Sequence, residues 1–310
     1  MEIIKTQALT KYYSRRVPKL LQTGRSSKKY AKSRGIVDLN LSVSEGDFFG
    51  FIGPNGAGKS TTIRILLGLL SSDSGTASIF GQDIKNGRTD LLTDIGYLPS
   101  EAIFYNGMKV RDVLKLSASL RKKDCSAEAK RLCERFQLDT SKKVDELSFG
   151  NRKKVGIVCA LQHMPKLYIL DEPTSGLDPL MQREFFALLK ERNRDGATIF
   201  LSSHILSEIQ RNCNRAAIIR EGHIIACDSV EALSKTNAKR ITIHGIADAS
   251  GLEHLRDVQK SEDGISFLYS GDINALIQWL SQNHIADLSI AEPDLEEIFL
   301  HYYTEGGEEK

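Results

Sequence analysis

The first residues with recognisable chemistry are GPNGAGKST at 53–61. They fit the pattern G-x-x-x-x-G-K-[ST], in which glycines allow successive backbone N–H groups to point at a phosphate. The apolar run FFGFIG (48–53) predicts a buried strand before the loop, and KSTTIRILLGLL (59–70) predicts a helix after it. A chance lysine in a glycine-rich turn is the alternative, but phosphate binding requires this strand–loop–helix order.

Each part of the loop has a predicted role. Lys59 supplies a positive charge to the β- and γ-phosphates of a nucleotide, and the Ser60 hydroxyl is a natural ligand of Mg²⁺. The positive end of the helix that begins here adds to the attraction. The predicted phosphate-binding residues are Gly53, Pro54, Asn55, Gly56, Ala57, Gly58, Lys59, Ser60 and Thr61.

Polar residues also follow two other apolar runs. LYIL (167–170) leads to Asp171 and Glu172, and TIFLSS (198–203) leads to His204. Because ligands of open α/β sheets bind at the carboxyl ends of strands, these side chains are predicted to be functional. Asp171 is suited to hold Mg²⁺, usually through a water, and Glu172 to polarise an attacking water as general base. The alternatives are a solvated acidic strand end and a satisfied core histidine.

The composition is that of an ordinary globular protein. Of 310 residues, 41% are hydrophobic and 26% charged, which is enough for one large domain, or for a large and a small one. The net charge of +2 does not indicate a nucleic-acid partner. Without an apolar run of about 18 residues or a signal-peptide core, we expect a soluble intracellular protein. The cysteines lack regular spacing and are expected to be reduced thiols: Cys125, Cys133, Cys159, Cys213 and Cys227.

Alternating strand-like and helical runs favour an α/β fold. Between residues 109 and 164 the pattern is helical, with Val110, Val113, Leu114 and Leu120 on one face. Short apolar strands that end on polar residues surround this region on both sides. The sequence therefore predicts an α/β domain that contains a largely helical region.

The chain after about residue 233 has a pattern of its own, so we predict one domain over 1–233 and an accessory module over 234–310. The module resembles a small βαββαβ unit. In its second helix Ile273, Leu276, Ile277 and Leu280 share a face. The predicted elements are strand 239–244, helix 249–255, strands near 257–260 and 265–270, helix 272–283, strand 285–291 and helix 293–303.

With GPNGAGKST, LSFGNRKKVGIVCAL, LYILDEPTSGLD and the histidine at 204 in this order, the chain resembles the ATP-binding subunits of ABC transporters. The resemblance covers residues 1 to about 233 and is interrupted by one insertion at about 15–34. It implies a P-loop NTPase fold of the ABC ATPase type, with a helical subdomain over about 100–164, and hydrolysis of ATP with Mg²⁺. The guanine-specific NKxD motif is missing, which argues against a GTPase.

In this family LSFGN corresponds to the signature sequence, usually written LSGGQ. Two subunits pack head to tail, so that the signature of one serves the ATP on the phosphate loop of the other. The resemblance therefore implies a dimer with a second ABC ATPase subunit, either a second copy or a paralogue. It assigns Ser148, Phe149, Gly150 and Asn151 to the partner's ATP. Phe149 and Asn151 depart from the family pattern, whereas Ser148 and Gly150, which are expected to contact phosphate, are retained.

The resemblance also implies roles for single residues near the phosphate loop. His204 would contact the γ-phosphate, and Tyr13, rather than Tyr12, would stack on the adenine. A half-buried strand tyrosine is the alternative for Tyr13. Where the family commonly has Gln, this chain has Ser100, followed by Glu101. Either Glu101 takes over the link to Mg²⁺ and the attacking water, or that link is weakened.

The insertion at about 15–34 is basic. A solvated, mobile loop is the favoured interpretation, and a lid attracted to nucleotide or anionic lipid is the alternative. The insertion contains no Asp or Glu and eight basic residues: Arg15, Arg16, Lys19, Arg25, Lys28, Lys29, Lys32 and Arg34.

The ending EPDLEEIFLHYY (292–303) resembles that of ATPases serving ABC-2-type exporters of drugs and peptide antibiotics. It implies a subunit that powers export through a separate polytopic permease, at the cytoplasmic face of the cell membrane. A plain amphipathic closing helix is the structural alternative. An importer subunit or a soluble ABC ATPase with another partner is the functional alternative. A ribosome-acting ATPase would generally have two such domains, and a chromosome-associated one a long coiled coil.

Overall fold

The computed structural model describes residues 1–16, 30–86, 89–234, 239–246, 248–261 and 263–291. The chain divides into two compact units, Met1–Ser229 and Val230–Lys310. Each unit has a hydrophobic cluster of its own. The boundary predicted near residue 233 falls within the first helix of the second unit, Val230–Ser234.

The first unit alternates strands and helices, and the predicted α/β architecture is confirmed. Its elements are β1 (Glu2–Arg16), β2 (Tyr30–Ser44), β3 (Phe48–Ile52), α1 (Lys59–Leu66), β4 (Ser74–Ile79), β5 (Gln82–Asp83), α2 (Thr89–Thr93), β6 (Ile95–Leu98), α3 (Val110–Leu120), α4 (Ser126–Arg135), α5 (Phe149–Leu161), β7 (Leu167–Asp171), α6 (Pro179–Arg194), β8 (Thr198–Ser203), α7 (Leu206–Asn212), β9 (Arg215–Arg220) and β10 (His223–Ser229).

Six strands of this unit form a mostly parallel sheet in the order β10-β9-β3-β8-β7-β6. Only β10 pairs antiparallel within it, with β9 at one edge. Every residue of β3, β7 and β8 is buried, as expected for parallel strands covered on both faces. The carboxyl ends of β3, β8, β7 and β6 are therefore neighbours along one edge of the sheet.

Aromatic packing fixes the two strands at the centre of this sheet. The Phe200 ring of β8 stacks on Phe49 at 5.8 Å between centroids and lies 5.5 Å from the Phe51 centroid. Burial of each ring stabilises the fold by about 1.5–3 kcal/mol. The loops that follow β3 and β8 consequently leave from a rigid base.

A second sheet of the first unit is antiparallel, in the order β2-β1-β4-β5. β1 and β2 pair as far as Arg16 opposite Tyr30, so both flanks of the basic insertion lie in one hairpin. Most of the insertion, residues 17–29, lies outside the described residues. Its interpretation as a solvated loop stays a prediction.

The predicted helical region contains α3, α4 and α5. Val110, Val113 and Leu114 form the buried face of α3, as predicted. The prediction is wrong for Leu120, which is 73% exposed. Leu120 is the last residue of α3, and the chain turns directly after it, so this end of the apolar stripe is left uncovered by the described residues.

The second unit contains α8 (Val230–Ser234), β11 (Lys239–His244), β12 (Leu255–Lys260), β13 (Gly264–Tyr269), α9 (Ile273–Ser281) and β14 (Asp287–Ala291). The four strands described in this unit form an antiparallel sheet in the order β12-β13-β11-β14. Leu276 and Leu280 of α9 belong to its buried cluster. Ile273 and Ile277, predicted on the same face, are 45% and 56% exposed, so the buried stripe of α9 is narrower than its sequence suggests.

The helix predicted over 249–255 does not form. Gly251 and His254 have φ values of +88° and +62°, which lie in the left-handed region that a right-handed helix excludes. The indole N–H of Trp279 donates to the Ser250 carbonyl and holds this segment as a turn. β12 then begins at Leu255, so the module lacks its first predicted helix. The last predicted helix, 293–303, and the EPDLEEIFLHYY ending lie outside the described residues.

Within the described ranges, no helix is both long enough and apolar enough to cross a bilayer. All five cysteines are free thiols, as predicted. Burial raises the pKa of Cys133 to about 11 and that of Cys159 to about 12. These two thiols therefore remain protonated, and unreactive as nucleophiles, at neutral pH.

Candidate active site

The phosphate loop leaves β3 and enters α1 through a backbone that glycine makes possible. Gly56 and Gly58 have φ values of +82° and +114°, which a residue with a Cβ rarely adopts. The Lys59 side chain is buried and folds back over the loop. Its Nζ donates to the Gly53 carbonyl at 2.5 Å and to the Pro54 carbonyl at 3.2 Å. The loop thus holds its own cation in place, while its outer residues, 54–56, are exposed.

Tyr13 of β1 lies beside this loop. Its hydroxyl is 3.0 Å from the Thr61 hydroxyl in the first turn of α1. Its ring occupies the space that a side chain at residue 35 would need, since a Cβ on Gly35 would lie 2.8 Å from the ring. The side chain is 37% exposed, so one part of the ring is available to a ligand.

Asp171 ends β7 next to β8. The Ser202 hydroxyl donates to Asp171 Oδ1 at 2.5 Å, and Asp171 is buried. The backbone N–H of Glu172 donates to the Ser202 carbonyl at 3.1 Å. Glu172 has a φ of 47°, an uncommon left-handed value for a residue with a side chain. The turn directly after β7 is therefore held in an unusual conformation by its neighbour strand.

Glu172 joins the predicted residues of three strand ends. Its Oε1 lies 3.1 Å from Lys59 Nζ, an ion pair without hydrogen-bond geometry. Its Oε2 lies 2.7 Å from Nδ1 of His204. The Glu172 side chain is 15% exposed and that of His204 50% exposed. A carboxylate fixed between a cation and an imidazole, and still reachable by solvent, is suited to orient a water molecule.

A buried carboxyl group supports the turn that carries His204. The Ser203 hydroxyl donates to Glu208 Oε2 at 2.9 Å and accepts the N–H of Ile205 at the same distance. Burial raises the pKa of Glu208. Neither Ser203 nor Glu208 was predicted as part of the site, because their contact depends on how β8 and α7 are joined.

The start of α5 carries the residues assigned to a partner's nucleotide. Ser148 is the N-cap, and its hydroxyl accepts the N–H of Asn151 at 3.4 Å. The Phe149 ring lies against Gly176, where a Cβ would meet ring atoms at 2.3 Å. A Cβ on Gly150 would lie 2.6 Å from the Gly176 carbonyl, so this glycine is required by contacts within its own chain. Among the described residues, no hydrogen bond joins the start of α5 to the 53–61 loop.

Glu101 is exposed and does not reach the phosphate loop. It lines a small recess together with Phe149 and Arg152 of α5. In the described part of the chain, no hydrogen bond connects it to Ser60 or Asp171. The structure therefore gives no support to Glu101 as the residue that links Mg²⁺ to the attacking water.

Lys153 is the residue of this region that sequence reasoning missed. Its side chain is buried, and Nζ donates to the carbonyls of Pro99, Ser100 and Glu172. Burial lowers the pKa of Lys153 to about 8, although the negative charges of Asp171 and Glu172 favour its protonated form. The available signal was a lysine within the otherwise apolar inner face of α5.

A phosphate loop, an acidic pair on a nearby parallel strand and a histidine on the strand between them define a P-loop ATPase. The family model described as ABC transporter matches residues 36–175. Bacitracin transport ATP-binding protein BcrA of Bacillus licheniformis is 36% identical over 299 residues, 91% of this chain and 96% of BcrA. Linearmycin resistance ATP-binding protein LnrL of Bacillus subtilis (strain 168) is 29% identical over 303 residues, 91% of this chain and 97% of LnrL.

Solved structures agree with these relatives. One described as the ATP-binding subunit of an ABC transporter is 30% identical, with a TM-score of 0.63, over 74% of this chain and 91% of that one. The chain belongs to the ABC transporter family, as an ATP-binding subunit. The predicted ABC ATPase fold, the nucleotide ATP and the ATPase activity are confirmed. Subunits of this family act together with membrane permease components.

Proposed function

We propose that this chain binds Mg-ATP, closes on a second ABC ATPase subunit and drives export of a substrate through a separate permease. The observation that carries the proposal is the position of Glu172, which contacts both Lys59 and His204. These contacts unite the loop that would hold the phosphates with the groups that would activate water. The relatives named for bacitracin transport and linearmycin resistance favour export, and they favour an antibiotic as the substrate.

Within the site, Lys59 binds the β- and γ-phosphates, Glu172 polarises the attacking water and His204 contacts the γ-phosphate. Ser60 and Asp171 would hold Mg²⁺, because a hydroxyl and a carboxylate are the hard oxygen ligands that this ion prefers. The described residues contain no group of three or more His, Cys, Asp or Glu side chains placed to bind a metal. The ion would be held jointly by the two side chains and the phosphates, whose charge it would neutralise.

The start of α5 serves the ATP of the partner subunit. Ser148 and Gly150 approach its γ-phosphate together with the helix N-terminus, whose partial positive charge favours an anion. The Phe149 ring is 46% exposed, and Asn151 is partly accessible, so both are available to a partner. Tyr13 stacks on the adenine of the ATP bound by its own chain.

Exposed apolar side chains of the helical region support docking on a permease at the cytoplasmic face of the membrane. Ile103 is 87% exposed, Tyr105 74% and Leu120 73%. A groove of about 810 Å³ lies close to α3 and α4, and its lining includes Leu114 and Leu138. Large apolar side chains exposed to this extent, such as Ile103 and Tyr105, are candidates for a protein interface.

The experiment is a pull-down of the tagged Glu172→Gln chain from detergent-solubilised native membranes, with ATP present. We expect a polytopic membrane protein to be recovered. Introduced into that chain, Ile103→Ser and Tyr105→Ser together should abolish recovery of the partner. Introduced into the wild-type chain, the same two changes should leave the ATPase activity unchanged. Ile290→Ser, which removes an exposed apolar side chain from the second unit, is the matched control. Recovery of ribosomes or nucleic acid without a membrane protein would contradict the transport function and leave the ATPase chemistry intact.

A further inference from the structure

The Lys153 ammonium group is buried and fully hydrogen-bonded at a position that an apolar side chain could fill. Its three N–H donors meet three backbone carbonyls, at 3.2 Å for Pro99, 2.8 Å for Ser100 and 3.0 Å for Glu172. Lys153 is 2% exposed, and it forms no ion pair with any described carboxylate. Burial of an ammonium group carries a large desolvation penalty, which only well-placed acceptors offset. An apolar side chain would fill this space without that penalty.

The three carbonyls belong to two segments. Among the described residues, α5 makes no other hydrogen bond to either segment. Pro99 and Ser100 follow β6, at the position where the family commonly has glutamine. Glu172 follows β7. Lys153 therefore connects the helix that begins at Ser148 with the turns after two neighbouring strands of the central sheet.

The contact with Glu172 restrains a strained residue. Its φ of 47° persists only where neighbouring groups hold the backbone. Ser202 accepts the N–H of Glu172, and Lys153 donates to its carbonyl, so both sides of the residue are fixed. This conformation directs the Glu172 carboxylate between Lys59 and His204.

We propose that Lys153 is a positioning residue that links the start of α5, which acts on the partner's ATP, to Glu172, which acts on the ATP of its own chain. The inference rests on the proposed dimer. Lys153 lies five residues after Ser148, or about 7.5 Å along a helix, so a displacement of the helix start is transmitted to it. Engagement of α5 by the partner's γ-phosphate then sets the turn that carries Glu172, and the two ATP sites act cooperatively.

The test compares Lys153→Met, Lys153→Gln and Lys154→Met. Methionine retains the unbranched shape without donors, and glutamine retains two of the three donors. Lys154, a partly exposed neighbour on α5, provides the control. For each full-length variant we would measure thermal stability, the affinity for ATP, kcat, and the Hill coefficient of ATP hydrolysis.

We expect Lys153→Met to lower kcat by about 10- to 100-fold, because a small displacement of a catalytic group has effects of this size. Its Hill coefficient should fall from near 2 to about 1, while its affinity for ATP changes by less than about twofold. Lys153→Gln should be intermediate, and Lys154→Met close to wild type. A purely structural role would instead lower thermal stability and ATP affinity in both Lys153 variants, with no graded effect on cooperativity.

Three results would overturn the inference: a wild-type Hill coefficient of 1, an unchanged kcat in Lys153→Met, or parallel losses of affinity and stability. Failure of the proposed function has a different signature. In that case Glu172→Gln would hydrolyse ATP at the wild-type rate, whatever the Lys153 variants do. The two proposals can also be separated in the other direction. If Glu172→Gln is inactive and dimerises with ATP while Lys153→Met remains fully cooperative, the proposed function stands and only the role of Lys153 is contradicted.

Discussion

At the scale of single residues, the Glu172 carboxylate and a bound nucleotide would compete for the Lys59 ammonium group. The Lys59 ammonium group contacts two loop carbonyls and the Glu172 carboxylate, and it has only three donors. Phosphates that draw Lys59 towards them would weaken its ion pair with Glu172. The carboxylate would then retain its contact with His204 and become available to a water molecule. Binding of ATP and activation of the base are therefore expected to be linked.

Glu172→Gln should retain ATP binding and lower kcat by about 100-fold or more, because an amide cannot accept a proton from water. Loss of the ion pair frees Lys59, so the affinity for ATP should be equal to or higher than that of wild type. Steady-state hydrolysis and equilibrium binding of ATP check both statements. Glu101→Gln is the matched control and should stay close to wild type, since Glu101 lies beside Arg152 rather than at the phosphate loop. Wild-type turnover in Glu172→Gln would remove Glu172 as general base.

Most residues of the candidate active site could be predicted from the sequence, because each motif consists of residues that are close together in the chain. The G-x-x-x-x-G-K-[ST] pattern contains both the phosphate loop and the lysine that contacts the phosphates. The acidic pair Asp171 and Glu172 directly follows an apolar run, which indicates the end of a buried strand. Lys153 could not be predicted in this way. Its acceptors lie at residues 99, 100 and 172, and only the packing of α5 on the sheet brings them together.

At the scale of elements, buried strands were predicted better than the short helix of the second unit. TIFLSS at 198–203 forms β8 with the predicted bounds, because a continuous apolar run that ends on polar residues is typical of a central parallel strand. The helix over 249–255 was wrong because Gly251 adopts a left-handed conformation and Trp279, distant in sequence, binds the Ser250 carbonyl. The conformation of residues 249–255 is thus determined by a tertiary contact rather than by their weak apolar pattern.

The junction between α5 and the sheet is predicted to be pH-sensitive through His163, where Nε2 lies 3.2 Å from the Ile95 carbonyl. Burial, assisted by the charge of Arg121, lowers the pKa of His163 from 6.5 to about 4. As the pH falls, His163 of the unfolded chain binds a proton near pH 6.5. In the folded chain the same residue does not bind a proton until about pH 4. The stabilisation is fully present above pH 6.5, and about 3 kcal/mol should be lost as the pH falls towards 4.

Urea unfolding between pH 7 and pH 4 would test this prediction. His163→Gln retains a donor for the Ile95 carbonyl and removes the titrating group, so its free energy of unfolding should fall less steeply with decreasing pH. His284→Gln, at an exposed position of the second unit, is the control and should follow the wild-type curve. Parallel curves for wild type and His163→Gln would show that His163 does not carry this pH dependence.

At the scale of the whole molecule, the residues of the candidate active site belong to one unit. The phosphate loop, Asp171, Glu172, His204 and the start of α5 all lie within Met1–Ser229. That unit has a cluster of buried apolar residues drawn from both of its sheets and from α1. The second unit has its own cluster around β11, β13 and α9. Because each unit has a buried apolar cluster of its own among the described residues, the ATPase unit is expected to fold without the second.

A chain truncated after Ser229 should therefore unfold cooperatively and bind ATP with an affinity within about twofold of the full chain. Calorimetry and nucleotide titration of both chains check these outcomes. Gly58→Val in the truncated chain is the control that should abolish binding, because valine cannot adopt the φ of +114° found there. If the truncated chain bound no ATP or unfolded without cooperativity, the second unit would be part of the ATPase fold. If it bound ATP but no longer recovered a permease in the pull-down, the second unit would be assigned to assembly.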